Sequence, residues 1–428
     1  MLATALLMLL VLLALSVPVA AVMGVLGLAL NQFYASMPLH RAMGEIIWNA
    51  SSEYILIAIP LFVMLGEILL RSGIAERVYN GMAQWLSWLP GGLMHANIGT
   101  CAMFAATSGS SVATAATIGT VAIPEIRKHG YNEPLFLGTI AAGGTLGILI
   151  PPSINFILYG LLTNTSVPRL YLAGFLPGVL LALFFMLIVL IACLADRRKG
   201  GTPIGTSWRL RFRALPTLLP PLAIFLVVVG SIYAGIATPT EAASLGVIAA
   251  LILAAIERRV SFAMLRGVAE GTMRTTAMIM LIIMAAQFLN FVLASIGLTE
   301  GLGKLIEGLG LGKIGTMILI VIFYLILGCF METISMMILT TPFIAPIVFK
   351  LGWDPIWWGI VLTVLIEAAL ITPPVGLNLY VVQGMRGRGS INDVIRGAIP
   401  FVGAMIVLIA LLMAWPDIAL WLPRALGY

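Results

Sequence analysis

Two stretches of the chain place a pair of prolines inside an apolar segment long enough to be a membrane helix: GGTLGILIPPSIN at 143–155 and IEAALITPPVGLN at 366–378. Proline has no backbone N–H and its ring clashes with the preceding turn, so each pair is expected to break a helix. In a membrane, broken helices survive only where protein or a water-filled cavity shields the freed backbone groups. The two stretches therefore predict two discontinuous helices around a shielded interior.

The composition is typical of a polytopic membrane protein. Of the 428 residues, 61% are hydrophobic and 9% are charged, whereas a soluble domain carries about 25% charged residues. The net charge of +6 comes from loops beside predicted helix ends, where it indicates topology rather than nucleic-acid binding. Because about 20 apolar residues cross the hydrocarbon core, full spans are predicted near 2–30 (kinked at Pro18), 52–71, 133–163, 169–195, 214–236, 239–256, 273–297, 356–385 and 395–415.

Two further apolar stretches, 93–126 and 313–348, are too polar at their centres to be ordinary spans. The interruptions are SGSS at 108–111 and METIS at 331–335, and each stretch fits a helical hairpin that enters and leaves on one side. With both hairpins re-entrant, all the Arg- and Lys-rich loops fall on one side, which the positive-inside rule makes cytoplasmic. This predicts a cytoplasmic N-terminus and a periplasmic C-terminus.

The second half of the chain repeats the first at an offset of 222 positions. Pro124 then meets Pro346, and Pro151 meets Pro373, with a separation of 27 residues in both copies (151 − 124 and 373 − 346). By the predicted orientation the copies are inverted, and inverted repeats with discontinuous helices mark a secondary transporter's binding site. The predicted fold is all-α and polytopic, an inverted repeat with two re-entrant helical hairpins and two discontinuous helices, of elevator type.

The predicted domain organisation alternates scaffold and transport segments. The scaffold spans would be 1–92 and 164–312, each with an amphipathic interfacial arm, near 74–90 and 298–312. The transport domain would combine 93–163 and 313–388, each a hairpin followed by a broken helix, and 389–428 would hold a C-terminal span.

Hydroxyl-rich hairpin tips that face the helix breaks predict sodium sites, because hydroxyls and freed carbonyls supply hard oxygens. The predicted sodium ligands are Ser108, Gly109, Ser110, Ser111, Gly144, Pro151 and Pro152 in the first copy, and Glu332, Thr333, Ser335, Thr372, Pro373, Pro374 and Gly376 in the second. Glu332 fits an ion site and structural hydrogen bonding equally well. Ser153, Asn155 and Asn378 are predicted to contact substrate, although the two asparagines could instead cap orphan backbone groups. Hydroxyls and prolines in membrane helices often only satisfy the backbone, but the matched spacing favours paired sites.

Other polar residues have simpler interpretations. Glu67 lies one turn before Arg71 near a predicted helix end, so an ion pair is expected. The segment Thr238–Glu241 predicts a capping box with proline at the first helical position. No enzyme is predicted, because the three histidines lie in loops or near span ends and the sequence has no HExxH motif or evident Ser/His/Asp set. No organic cofactor is predicted; sodium ions would be the coupling ions.

The combination of motifs resembles the large membrane subunit of TRAP (tripartite ATP-independent periplasmic) transporters. The matching segments are SGSSVATAATIG at 108–119, GTLGILIPPS at 144–153, ATPTEAA at 237–243, LGWDPIWWG at 351–359 and ITPPVGLNLY at 371–380. The resemblance implies sodium-driven uptake of an organic anion, such as a C4-dicarboxylate or sialic acid, across a bacterial inner membrane. It implies two partners, a small four-helix membrane subunit and a periplasmic substrate-binding protein.

The resemblance also implies that sodium lies at Ser108–Ser111, Pro151, Pro152, Thr333 and Thr372–Pro374. The alternative function is a stand-alone sodium/dicarboxylate symporter, which would use similar inverted repeats without partners. The sequence does not identify the substrate, since no arginine falls clearly at mid-span.

Overall fold

Helices make up most of the chain in the computed structural model, which describes residues 1–15, 17–328 and 331–427; within these ranges no strand occurs, and the side chains of Leu2, Ala106, Thr107, Ser108, Thr299 and Glu307 are not described. The α-helices of the described chain are α1 (Leu2–Ala14), α2 (Val19–Tyr34), α3 (Met43–Ser51), α4 (Ala58–Arg71), α5 (Ile74–Leu86), α6 (Leu93–Ser108), α7 (Ser111–His129), α8 (Glu133–Leu149), α9 (Ile154–Thr163), α10 (Val167–Ala195), α11 (Trp208–Tyr233), α12 (Pro239–Ile256), α13 (Phe262–Ser295), α14 (Leu298–Gly308), α15 (Gly312–Leu327), α16 (Thr333–Lys350), α17 (Pro355–Leu370), α18 (Leu377–Arg386), α19 (Ile391–Ala414) and α20 (Asp417–Ala425).

Both predicted hairpins form, and each is closed at its base. In the first, α6–α7, the backbone N–H of Leu93 donates to the hydroxyl oxygen of Tyr131 at 2.9 Å. In the second, α15–α16, the ammonium of Lys313 donates to the carbonyl of Gly352 at 3.2 Å and lies 4.0 Å from the ring centroid of Trp353. Because the start and the end of each helix pair meet, each pair returns to the side on which it begins, and the prediction of two hairpins is confirmed.

The two proline pairs interrupt helices where predicted. Helices α8 and α9 are separated by Ile150–Ser153 and bent by 45°, and six residues, 371–376, separate the end of α17 from the start of α18. The Pro151–Pro152 and Pro373–Pro374 peptide bonds are both cis. Four half-helices, α8, α9, α17 and α18, therefore end or begin inside the molecule.

The two repeats interlock. Helix α9 of the first repeat packs on α16 of the second, and α18 of the second packs on α7 and α8 of the first. The amide of Asn378 in α18 donates to the carbonyl of Ala141 in α8 at 3.2 Å. At the end of α18, the guanidinium of Arg386 lies 2.9 Å from the carboxylate of Glu133. Each repeat thus completes the packing around the broken helix of the other.

The Arg- and Lys-rich loops lie together. Arg77 forms an ion pair with Glu257, the N–H of Asn132 donates to the carbonyl of Lys199, and Arg388 contacts Glu133. Helix α5 packs on both α7 and α11, which brings these loops to one end of the bundle. The contacts agree with the prediction that the basic loops share one side of the membrane; which side is cytoplasmic stays a prediction.

The N-terminal span differs from its prediction. One kinked helix over 2–30 was expected, but α1 ends at Ala14 and α2 begins at Val19, with Pro18 preceding the new helix. Proline cannot supply the N–H that a continuous helix needs, and it disfavours helical geometry in the residue before it. Within the described residues, seven helices are long and apolar enough to cross a membrane, or eight if the bent α8–α9 pair counts as one span.

Gly138 of α8 and Gly397 of α19 allow two helix backbones to touch. A Cβ at Gly138 would overlap the carbonyl of Gly397, and a Cβ at Gly397 would overlap the carbonyl of Pro134. Gly397→Ala is therefore expected to lower the free energy of unfolding by about 1–3 kcal/mol, a typical cost of overpacking. The measurement is the thermal unfolding midpoint of the purified protein in detergent.

Gly403, two turns along the same helix, supplies the matched control. A Cβ there would meet no atom within 4 Å, so Gly403→Ala should leave the midpoint unchanged or raise it through helix propensity, worth up to about 1 kcal/mol. Equal midpoints for the two variants would contradict the close helix crossing.

Candidate functional site

A cavity of about 460 Å³ lies where the two hairpin tips meet the helices around them. One wall holds the first tip (Gly109–Ala113) and the start of α9, and a second wall holds the second tip (Glu332–Ile334) and the start of α18. The third wall comes from the predicted scaffold: Val63, Gly66, Glu67 and Leu70 of α4, with Thr275, Met278 and Ile279 of α13. The cavity thus lies between the repeats and the remaining helices.

The first hairpin tip is held against α8 by glycines. A Cβ on Gly144 would lie 3.0 Å from the carbonyl oxygen of Ser111, and one on Gly147 would lie 2.8 Å from that of Ser110. The hydroxyl of Ser110 caps α7 by accepting the N–H of Ala113 at 3.4 Å. The predicted approach of the tip to α8, the helix ahead of the first break, is therefore present. It depends on the absence of a side chain at Gly144.

The second hairpin tip is organised by Glu332. Its carboxylate accepts the N–H of Ile334 at 3.1 Å, and the N–H and hydroxyl of Ser335 at 2.6 Å each. A carboxylate at a helix N-terminus satisfies orphan N–H groups and complements the helix dipole. Of the two roles predicted for Glu332, the structural one is present in the geometry, and the role of ion ligand stays a prediction.

The structure brings some of the predicted site residues together and leaves others apart. The cavity is lined by Gly109, Ser110, Ser111, Asn155, Glu332 and Thr333. The remaining predicted residues do not line it: Gly144, Pro151, Pro152, Ser153, Ser335, Thr372, Pro373, Pro374, Gly376 and Asn378. The side chain of Ser108 lies outside the described part of the chain.

The two breaks differ in their surroundings. Pro151, Pro152 and Ser153 are buried, whereas Thr372 is half-buried and Pro374 is exposed. The hydroxyl of Thr372 donates to the carbonyl of Ala368 at 2.6 Å, within its own helix. The pseudo-symmetry seen in the sequence therefore does not extend to equal burial of the two predicted ion sites.

The sequence analysis did not predict two features of the site. Glu67 forms the predicted ion pair with Arg71, at 3.0 Å, but it also lines the cavity from the scaffold side. The hydroxyl of Ser111 donates to Glu367 at 2.6 Å across 256 positions of sequence. The available signal was that both acids fall within predicted spans, where an ionisable residue indicates function by default.

Helix N-termini converge on the cavity. The first residues of α7, α9, α16 and α18 all line it. Side chains cap α7 and α16, but α9 and α18, the two helices that follow the breaks, have no side-chain cap. Uncapped N-termini present free N–H groups and a positive dipole end, which together favour a bound anion.

Interlocked repeats of hairpin and broken helix around a central cavity define a membrane transporter. In agreement, residues 6–418 match the family model described as "Tripartite ATP-independent periplasmic transporter, DctM component", and the chain belongs to this family.

The capping box predicted at Thr238, at the start of α12, is also confirmed. The side chain of Thr238 accepts the N–H of Glu241, and the Glu241 carboxylate accepts the N–H of Thr238.

Curated relatives carry several substrate names. The C4-dicarboxylate TRAP transporter large permease protein DctM of Vibrio cholerae is 32% identical, over 96% of this chain and 94% of its own. The sialic acid TRAP transporter large permease protein SiaM of the same species is 30% identical, over 88% of each chain. The isethionate TRAP transporter permease protein DctMQ of Oleidesulfovibrio alaskensis is 30% identical, over 96% of this chain and 64% of its own.

A solved structure shares the fold. The YdaH transporter of Alcanivorax borkumensis, whose crystal structure is described as having an unusual topology, superimposes with a TM-score of 0.56. The match covers 97% of this chain and 99% of the other at 15% sequence identity, so it supports the architecture alone. The prediction of an all-α polytopic fold is confirmed, and the elevator motion stays a prediction.

Proposed function

We propose that this chain is the transporting subunit of a sodium-driven uptake system for a small organic anion in a bacterial inner membrane. Its N-terminus would be cytoplasmic and its C-terminus periplasmic. A small four-helix membrane subunit and a periplasmic substrate-binding protein would complete the assembly. The observation that carries the proposal is the pair of uncapped helix N-termini, those of α9 and α18, at the central cavity.

These termini support the proposal of an anionic substrate. A helix N-terminus favours an anion by about 0.3–1 kcal/mol when exposed and up to ~2 kcal/mol when partly buried, and its N–H groups donate to carboxylate or sulfonate oxygens. The cavity volume, about 460 Å³, suits a small molecule. The C4-dicarboxylate, sialic acid and isethionate named for the relatives are all small organic anions. Ser153 and Asn155, beside the first break, would complete the substrate contacts.

The charges at the cavity support the proposal of sodium coupling. Its described lining residues include two carboxylates, Glu67 and Glu332, but no lysine or arginine. Both carboxylates are already compensated, Glu67 by Arg71 and Glu332 by the N–H groups at the start of α16, so further positive charge for a bound anion would have to come from cations that enter with it. The hydroxyls of the tips and the carbonyls freed at the breaks are hard oxygen ligands suited to sodium. We therefore place sodium at the two predicted ligand sets, one for each tip and its break.

The proposed motion uses the interlocked repeats. Residues 93–163 and 313–388 would move as one transport domain, because each repeat packs around the broken helix of the other. The helices of 1–92 and 164–312 would form the scaffold that binds the small membrane subunit. Both sets of helices line the cavity, so relative movement would change which side of the membrane it faces.

Reconstitution tests the need for partners. Proteoliposomes with the chain alone, with the chain and its small membrane subunit, and with both plus the binding protein would be compared for uptake of labelled succinate and sialic acid under an inward sodium gradient. Uptake is expected only when all three proteins are present, because the binding protein delivers the substrate. Equal uptake by the chain alone would contradict the tripartite account and support the stand-alone symporter.

A further inference from the structure

Glu367, in α17, is a fully buried carboxylate with one unpartnered oxygen. The hydroxyl of Ser111, at the tip of the first hairpin, donates to Oε2 of Glu367 at 2.6 Å. Oε1 has no hydrogen-bond partner in the described chain, and the residue is 0% exposed. A buried ionised carboxylate is costly unless it is paired or coordinates a cation, so Oε1 is suited to a bound cation.

A second unpartnered acceptor belongs to the same neighbourhood. Asn378, in α18, donates through Nδ2 to the carbonyl of Ala141, and its Oδ1 has no partner among the described residues. A Cβ on Gly144 would lie 3.0 Å from the carbonyl oxygen of Ser111 and 3.2 Å from Nδ2 of Asn378. Ser111 is therefore hydrogen-bonded to Glu367 and lies close to Asn378, and these two residues flank the second break on its two sides.

Glu367 has no acidic counterpart in the first repeat. At the offset of 222 positions, Glu367 corresponds to Thr145 (145 + 222). The hydroxyl of Thr145 donates to the carbonyl of Ala142 at 2.6 Å, so the first repeat satisfies this position within its own helix. The repeated fold thus does not require a carboxyl group here, and only the second repeat places one at this position, beside the first hairpin tip.

We propose that Glu367 and Asn378, with the hydroxyl of Ser111, form an enclosed sodium site that shares Ser111 with the predicted site of the first hairpin tip. The inference rests on the sodium coupling proposed above. Carboxylate, hydroxyl and carboxamide oxygens are hard ligands for such a cation. Because the ligands come from both repeats, an ion here links the tip of the first hairpin to both halves of the second broken helix.

The test is sodium-dependent thermal stabilisation of the purified full chain, with sodium chloride exchanged for choline chloride at constant ionic strength. Glu367→Gln keeps the size of the side chain and an acceptor for Ser111 but removes the charge. Its half-saturating sodium concentration is expected to rise about tenfold or more, with a shallower titration. Asn378→Leu, of similar volume, should shift it in the same direction. Glu270→Gln, on the exposed surface of α13, is the control and should match the parent.

The outcomes separate the inference from the function on which it rests. A parent chain without saturable sodium stabilisation would contradict sodium coupling itself. A parent that is stabilised by sodium, together with a Glu367→Gln variant of unchanged titration, would overturn only the inference. That result would mean that the carboxyl group of Glu367 does not coordinate sodium. A loss of folding in one variant would be recognised from its unfolding midpoint in choline, and the other variant would then decide.

Discussion

Linking Met278 of α13 to Ile334 of α16 is expected to reduce transport to background. Both residues line the central cavity, Met278 from the scaffold and Ile334 from the second hairpin tip, and their helices pack on one another. If the repeats carry the site by moving against the scaffold, a covalent link across this boundary fixes one conformation. Cysteines at the two positions, in a chain whose three native cysteines have been replaced, would be joined by a bifunctional maleimide and uptake measured before and after linkage.

The matched control is a link inside the proposed transport domain. Glu133 begins α8 of the first repeat, and Arg388 follows α18 of the second, with 3.2 Å between guanidinium and carboxylate. Both side chains are partly exposed, so cysteines there should react with the same reagent. Because the repeats are expected to move together, this link should leave transport largely intact. Transport that survives the first link but not the second would favour gating around a fixed site over movement of the repeats.

The sequence predicted the elements that depend on local chemistry. The proline pairs predicted both breaks because proline lacks an N–H and its ring clashes with the preceding turn, but such a pair does not always break a helix, since α11 continues through Pro220 and Pro221. The polar interruptions at SGSS and METIS identify the hairpin tips, and the capping box at Thr238 could be read from four adjacent residues. At Pro18 the sequence predicted a kink within one helix, whereas α1 ends at Ala14 and a new helix, α2, begins at Val19.

What the sequence could not supply were the contacts between distant segments. The bond from Ser111 to Glu367 joins residues 256 positions apart, and no local pattern relates them. Similarly, the place of Glu67 in the cavity wall depends on how α4 packs beside the hairpins. The unequal burial of the two breaks also depends on neighbouring helices, because the motifs themselves are nearly the same. Packing of the repeats, rather than the motifs, sets these features.

The second large expected effect is the loss of uptake when the driving ion, sodium, is replaced. With two sodium ions for each monovalent anion, one net positive charge would enter the cell in each cycle. Each such charge gains about 2.3 kcal/mol per 100 mV of inside-negative potential, so both the sodium gradient and the potential should accelerate uptake. Replacement of sodium by choline should leave the predicted oxygen sites empty, and uptake should fall to background.

The most direct measurement is therefore uptake by the complete reconstituted assembly under two gradients. One set of proteoliposomes receives an inward sodium gradient without a proton gradient, and the other receives choline in place of sodium with an inward proton gradient. The account predicts accumulation of the anion only in the first set, with faster uptake when the interior is made negative. Equal accumulation with choline and a proton gradient would contradict sodium coupling and the assignment of the hairpin tips and helix breaks as sodium sites.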